Sequence, residues 1–116
     1  MAVQQWDEKT LVVQLSDDPL LSEDMAEVND RLRGNGCDVV LDLADVTLIT
    51  SSGLSKLLRL RKHMIDSRRR LILCSIKDRV WGVFLATGLE ALFEFTKTVT
   101  EALTRLQAGK AKGNVE

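Results

Sequence analysis

A chain of 116 residues is long enough to bury one real core and short enough to form a single domain. Its residues are 45% hydrophobic and 28% charged, ordinary for a globular protein, and a formal net charge of −1 supplies no global field toward nucleic acid or a membrane surface. No apolar stretch follows a basic start and every uninterrupted apolar run is short, so neither a secretory signal nor membrane insertion is expected.

Residues 3–6 and 10–15 read as two short strands around the polar turn Asp7-Glu8-Lys9, the second placing Leu11, Val13 and Leu15 on one face. Asp17-Asp18-Pro19 breaks that strand. Ser22 then reads as a helix N-cap, followed by Glu23 and Asp24, whose charge suits the positive end of a helix. Met25, Val28 and Leu32 continue the helix at core spacing, and Gly34-Asn35-Gly36 ends it.

Residues 37–43 hold Val39-Val40-Leu41 between polar ends, the pattern of a strand buried on both faces. A connection through Asp45 and Thr47 leads to Thr50-Ser51-Ser52-Gly53, where a helix begins. On its wheel Leu54, Leu57, Leu58, Met64 and Ile65 share one broad arc with Leu60 at the edge. Arg61 falls inside that arc, its stem packed and its head reaching water.

Residues 71–74 form another apolar strand after the turn Arg68-Arg69-Arg70. Residues 78–86 form a helix carrying Val80, Val83 and Phe84 inward, stopped by Thr87-Gly88-Leu89. A short strand follows at 92–95, then a last helix at 99–106 with Ala102, Leu103 and Leu106 at helical spacing. One domain is expected over 1–108, and residues 109–116, which lack core residues, are expected to be a disordered tail.

After the opening hairpin, strand and helix alternate. This is the signature of an α/β fold, a mixed sheet of about five strands with about four helices attached by right-handed crossovers. Cys37 and Cys74 are isolated thiols at or inside apolar runs with no metal spacing, so they read as structural thiols in a reducing, cytoplasmic setting. No cofactor or metal is expected.

Charge is distributed unevenly along the chain. It is mainly acidic up to Leu54 and mainly basic over 56–70, where Lys56, Arg59, Arg61, Lys62, Arg68, Arg69 and Arg70 are opposed only by Asp66. Such a stretch reads either as solvated helix and loop surface or as a docking face for an acidic partner.

The segment that carries chemistry runs from Val39 to Leu54: an apolar strand, a polar connection, and hydroxyls on the first turn of a helix. Unpaired N–H groups and about half a positive charge from the dipole sit at that end. A phosphate on Ser51 or Ser52 would meet those donors and add roughly −1.5 to −2 charge to a surface that a partner can touch. The simpler reading is capping by Ser or Thr, with Gly53 permitting close packing.

Two runs resemble the STAS family, whose best-known members are bacterial anti-sigma-factor antagonists. The first is Val40-Leu41-Asp42-Leu43 through Ser51-Ser52-Gly53-Leu54; the second comprises Val80, Phe84, Thr87-Gly88-Leu89, Leu92-Phe93 and Ala102-Leu103. The resemblance implies a single STAS-like domain that binds an anti-sigma factor with Ser kinase activity and is reset by a protein phosphatase. Ser52 is then the phosphate acceptor, with Ser51 and Thr50 as alternatives, since Thr50 stands where the family usually has Asp. Asp18, Thr50, Ser51, Ser52, Gly53, Lys56 and Arg59 are the implied partner-contacting residues, and a homodimer is left open. The loop Ser16-Asp17-Asp18-Pro19 lacks the glycine common there in the family.

Other functions find less support. A hydrolase using Ser51 or Ser52 needs a base and an oxyanion site. His63, the sole histidine, lies eleven residues from Ser52, roughly 16 Å along a helix, and reads as a surface residue. There is no GxSxG elbow and no Gly-rich phosphate loop, so an enzyme is not expected. DNA binding is not expected either, because no aromatic residue interleaves with the basic stretch. A STAS subunit that works without phosphorylation, as a scaffold in a signalling assembly or a regulatory subunit on a transporter ATPase, remains the alternative.

Overall fold

The computed structural model of the chain describes residues 2–109 with their side chains and carries the last helix to Val115. The elements in order are β1 (Val3–Asp7), β2 (Thr10–Ser16), α1 (Leu20–Leu32), β3 (Asp38–Asp45), α2 (Ser51–Asp66), β4 (Leu71–Cys74), α3 (Asp78–Thr87), a single 3-10 turn (Leu89–Leu92), β5 (Glu94–Thr96) and α4 (Val99–Val115). The five strands lie in sequence order across one mixed sheet: β1 is antiparallel to β2, and β2 through β5 run parallel. The α/β fold expected from the element pattern is the fold observed. The expectation for residues 109–116 falls, Gly109 apart, outside those described with their side chains.

Alternation along the strands splits the core in two. Leu11, Val13 and Leu15 of β2, Val39, Leu41 and Leu43 of β3, and Leu73 of β4 pack with Leu21, Met25, Val28 and Leu32 of α1, Leu57, Leu60 and Met64 of α2, and Val80 and Phe84 of α3. Val40, Ile72 and Cys74 point the other way and meet Ala102 and Leu106 of α4. With helices on both faces, β3 needs apolar side chains on both, which is why Val39-Val40-Leu41 runs without a break. The edge-to-face contact of Phe84 with Phe95, centroids 5.5 Å apart, ties α3 to the short edge strand β5.

Four details differ from the sequence reading. Helix α1 begins at Leu20, two residues before Ser22, with Pro19 at the N-cap; Ser22 lies inside the first turn, where its backbone N–H and hydroxyl donate to Asp18 Oδ1 at 3.0 and 2.7 Å. On α2 the buried line is Gly53, Leu57, Leu60 and Met64, so Leu60 is central, Leu58 is half-buried and Ile65 is exposed. Leu92 ends the 3-10 turn, and the last strand starts two residues later at Glu94. The basic stretch is also less free than its composition implies. Arg69 pairs with the nearly buried Asp38 (3.3 Å), whose Oδ1 also accepts from the Arg70 N–H (2.9 Å), while the Arg70 guanidinium pairs with Glu94 (2.6 Å). Those two arginines hold the fold.

Both thiols are buried and unpaired with each other. Burial pushes the Cys74 thiol up to about 11, and its S–H donates to the Leu41 carbonyl at 3.5 Å, the behaviour of a structural cysteine.

Candidate functional site

The site is assembled by strand topology. Because β2 and β3 are parallel neighbours with Ser16 opposite Asp45, the chain leaves both strands side by side at one end of the sheet. Asp17 joins the two exits. Its carboxylate accepts from the backbone N–H groups of Thr47 (2.8 Å) and Leu48 (3.2 Å), and from the Thr47 hydroxyl. The Thr47 hydroxyl, and then the Thr47 backbone, hold this carboxyl below its usual range, because each bond favours the charged form. Asp18, next in the chain, accepts from the Ser22 N–H in the first turn of α1, and the Asp18–Pro19 peptide is cis. One short acidic pair therefore orders the start of α1 and the connection into α2 together.

That connection delivers Thr50 as the N-cap of α2. Thr50 has extended backbone angles, and its Oγ1 accepts from the Gly53 N–H at 3.1 Å while its carbonyl receives the Leu54 N–H at 2.9 Å. The simpler reading of the hydroxyl cluster therefore holds for Thr50, which caps. It does not hold for Ser51 and Ser52, which occupy the first turn exposed. Ser52 Oγ accepts a hydrogen bond from Lys56 Nζ at 2.8 Å, one helical turn on. Gly53 lies beneath them. A Cβ there would come within 3.1 Å of Ile49 Cγ1, so the missing side chain lets the helix start settle on Ile49.

Helices α1 and α2 pack side by side and leave a shallow groove of about 130 Å3, lined by Ser22, Met25, Ala26 and Asn29 from one and Lys56 and Arg59 from the other. Leu20, the first residue of α1, and Leu48, in the connection that Asp17 holds, carry more than half their surface in water (52% and 59%). Exposed apolar side chains, and cations that form no ion pair among the described residues, are features suited to a macromolecular contact. Of the residues singled out in the sequence, Thr50, Ser51, Ser52, Lys56 and Arg59 are brought together along the start of α2. Asp18 is joined to them through its Asp17 neighbour, and Gly53 is placed below the surface. His63 is exposed further along the same helix.

Two functional features escape a sequence reading. Asp17 reads only as a strand breaker, although its position at the exit of a strand parallel to β3 is the signal that it can reach Thr47. Leu20 and Leu48 read as ordinary apolar residues, and nothing local marks them as exposed. Among the described residues no helix is long and apolar enough to cross a membrane, and no group of His, Cys, Asp or Glu is arranged to hold a metal ion.

A sheet in strictly sequential order, with a hydroxyl-bearing helix start presented at its carboxyl end, defines a small α/β domain of one known type. The chain belongs to the STAS domain family, whose model matches residues 4–102. Its fold is shared with an anti-sigma-factor antagonist (STAS) domain protein from Planctomyces limnophilus, at 18% identity and a TM-score of 0.78, with 90% of this chain and 96% of that one covered. The anti-sigma factor antagonist SpoIIAA in its unphosphorylated form matches at 17% identity and a TM-score of 0.73, over 90% of this chain and 96% of that one. The Bacillus cell fate determinant SpoIIAA in its phosphorylated form matches at 19% identity and a TM-score of 0.71, over the same shares of the two chains.

Proposed function

We propose that this chain is an anti-sigma-factor antagonist: a non-catalytic protein-binding switch of the cytoplasm whose contact surface is the start of α2 and the loops that Asp17 joins to it. Its partner is an anti-sigma factor that is also a Ser kinase, and Ser52 is the residue modified. The observation that carries this reading is the placement of Ser52 Oγ, exposed on the first helical turn beside the cations Lys56 and Arg59. A phosphate there reverses the local charge within the contact surface, and the resulting desolvation and repulsion weaken binding to a partner selected for the unmodified form. A phosphatase completes the cycle.

Support also comes from what surrounds Ser52. Among the described residues no imidazole or carboxylate hydrogen-bonds the Ser52 hydroxyl, and its one side-chain partner there is an ammonium, which cannot serve as a base while charged. A transfer of phosphate to Ser52 therefore needs a catalyst outside this chain. Incubation with ATP and Ser kinases of the source organism, followed by mass spectrometry, tests the reading: phosphate on Ser52, abolished by Ser52→Ala, is expected, and an unmodified chain under every kinase overturns it.

One observation favours a second reading. Thr50 stands where the family usually has Asp and is occupied as a neutral cap, so the carboxylate that normally adjoins the acceptor is missing. A scaffold in a signalling assembly, or a regulatory subunit on a transporter ATPase, would use the same surface without modification.

A further inference from the structure

We propose that Lys56 is the internal counter-cation of phosphorylated Ser52, holding the phosphoryl group along its own helix at the mouth of the α1–α2 groove. The inference rests on Ser52 being the modified residue and adds how the modified state is held. In the unmodified chain the ammonium already sits 2.8 Å from the Ser52 oxygen, at the i,i+4 spacing that places two side chains over one another on a helix. The order also favours a pair, since the anion would lie on the N-terminal side and the cation one turn toward the C-terminus.

The charges around Ser52 leave Lys56 free for this role. Lys62 pairs with Asp66, Arg61 donates to the Leu92 carbonyl, and Arg69 and Arg70 serve Asp38 and Glu94, whereas Lys56 makes no ion pair among the described residues. Arg59 also lines the groove, seven residues beyond Ser52, but it is Lys56 that already bonds the Ser52 hydroxyl. The facing wall of α1 contributes Ser22, Met25, Ala26 and Asn29, none of which titrates near neutrality, and the nearby Asp18 carboxylate is engaged by Ser22. Two consequences follow for the switch. Phosphorylation adds negative charge and also removes Lys56 from the cations a partner could meet, so one modification changes the surface twice. The phosphate is also held close to the protein, a shape that a phosphatase must open.

Phosphoserine installed at position 52 during translation gives the test, because it needs no kinase. The second ionisation of the phosphate, ordinarily near pH ~6, is followed by phosphorus NMR. It is expected to lie about 0.3 pH unit or more lower with Lys56 present than in Lys56→Met, the size that i,i+4 pairing implies. Lys56→Arg should restore the lower value, which a merely structural role would not do, and unmodified Lys56→Met should melt as the parent does. Equal titrations in the parent and Lys56→Met overturn the proposal, as does a shift that vanishes with Arg59→Met in place of Lys56→Met. The outcomes separate the two levels. An equal titration removes the clamp and leaves Ser52 as acceptor, while failure of every kinase to modify Ser52 removes the switch and leaves the titration result standing.

Discussion

Asp17 and Thr47, thirty residues apart, are bound through both the backbone and the side chain of the threonine: the Asp17 carboxylate accepts from the Thr47 N–H at 2.8 Å and from its hydroxyl. This contact joins the exits of two parallel strands and sets where Leu48 and the start of α2 lie. It is the joint on which the proposed contact surface turns.

The pH dependence of that joint has a definite sign. Asp17 carries a carboxyl held below its ordinary value of 3.8, chiefly by the Thr47 hydroxyl and backbone. Its contribution to stability is therefore complete above that value and lost as pH falls through the lower one. Denaturant titrations of the parent and Asp17→Asn between about pH 2 and 6, roughly the range over which carboxylates titrate, should differ most at the upper end and converge at the lower. Amide exchange at Thr47 and Leu48 should quicken in the variant at neutral pH. Curves that stay parallel across the range would remove Asp17 from this role.

Gly53 makes an opposite wager from most helical glycines. Replacing glycine by alanine inside a helix ordinarily adds about 0.5–1 kcal/mol. Here the new Cβ would stand 3.1 Å from Ile49 Cγ1, so Gly53→Ala is expected to give no gain. The bulkier Gly53→Val should cost about 1–3 kcal/mol through overpacking. Chemical denaturation reads both, and stabilisation by valine would show that Ile49 is free to move aside.

Leu60 and Leu58 offer a paired test of how α2 faces the core. Leu60 is buried at 1% exposure, and Leu60→Ala is expected to cost about 2–5 kcal/mol. Leu58 is half-buried, and Leu58→Ala should cost roughly half as much. The reverse order in denaturation experiments would mean that the helix is rotated about its axis.

That pair also shows where a sequence stops being legible. The strands were readable because burial on both sides leaves a continuous apolar run, and β4 falls at Leu71–Cys74 as its pattern predicts. The hydroxyl-bearing helix start was readable because Thr50-Ser51-Ser52 immediately precedes an amphipathic run. The rotation of α2 was not. Its buried line passes through Gly53, which has no side chain to register on a hydrophobic wheel, so the apparent centre shifted toward Leu58 and Ile65. The start of α1 is not legible locally because Ser22 looks like a cap, whereas the N-cap is Pro19 and Ser22 bonds the Asp18 carboxylate from inside the first turn. The links from Asp17 to Thr47 and from Asp38 to Arg69 depend on strand order, which local pattern does not encode.

The buried thiols should behave as inert groups. With Cys74 pushed up to about 11 and both cysteines buried, a maleimide reagent at neutral pH should label the native protein far more slowly than the unfolded chain. Rapid labelling of the native protein at Cys74 would indicate that the face covered by α4 opens readily.

The switch itself is tested most directly by a binding measurement. The partner captured from the source organism is titrated by calorimetry against the chain carrying serine, and then against the chain carrying phosphoserine, at position 52. A loss of affinity of about tenfold or more, roughly 1.4 kcal/mol, is expected on phosphorylation, with the melting midpoint and circular dichroism of the two chains alike. Equal affinities for the two forms would contradict the assignment of Ser52 as the residue through which this protein is turned on and off.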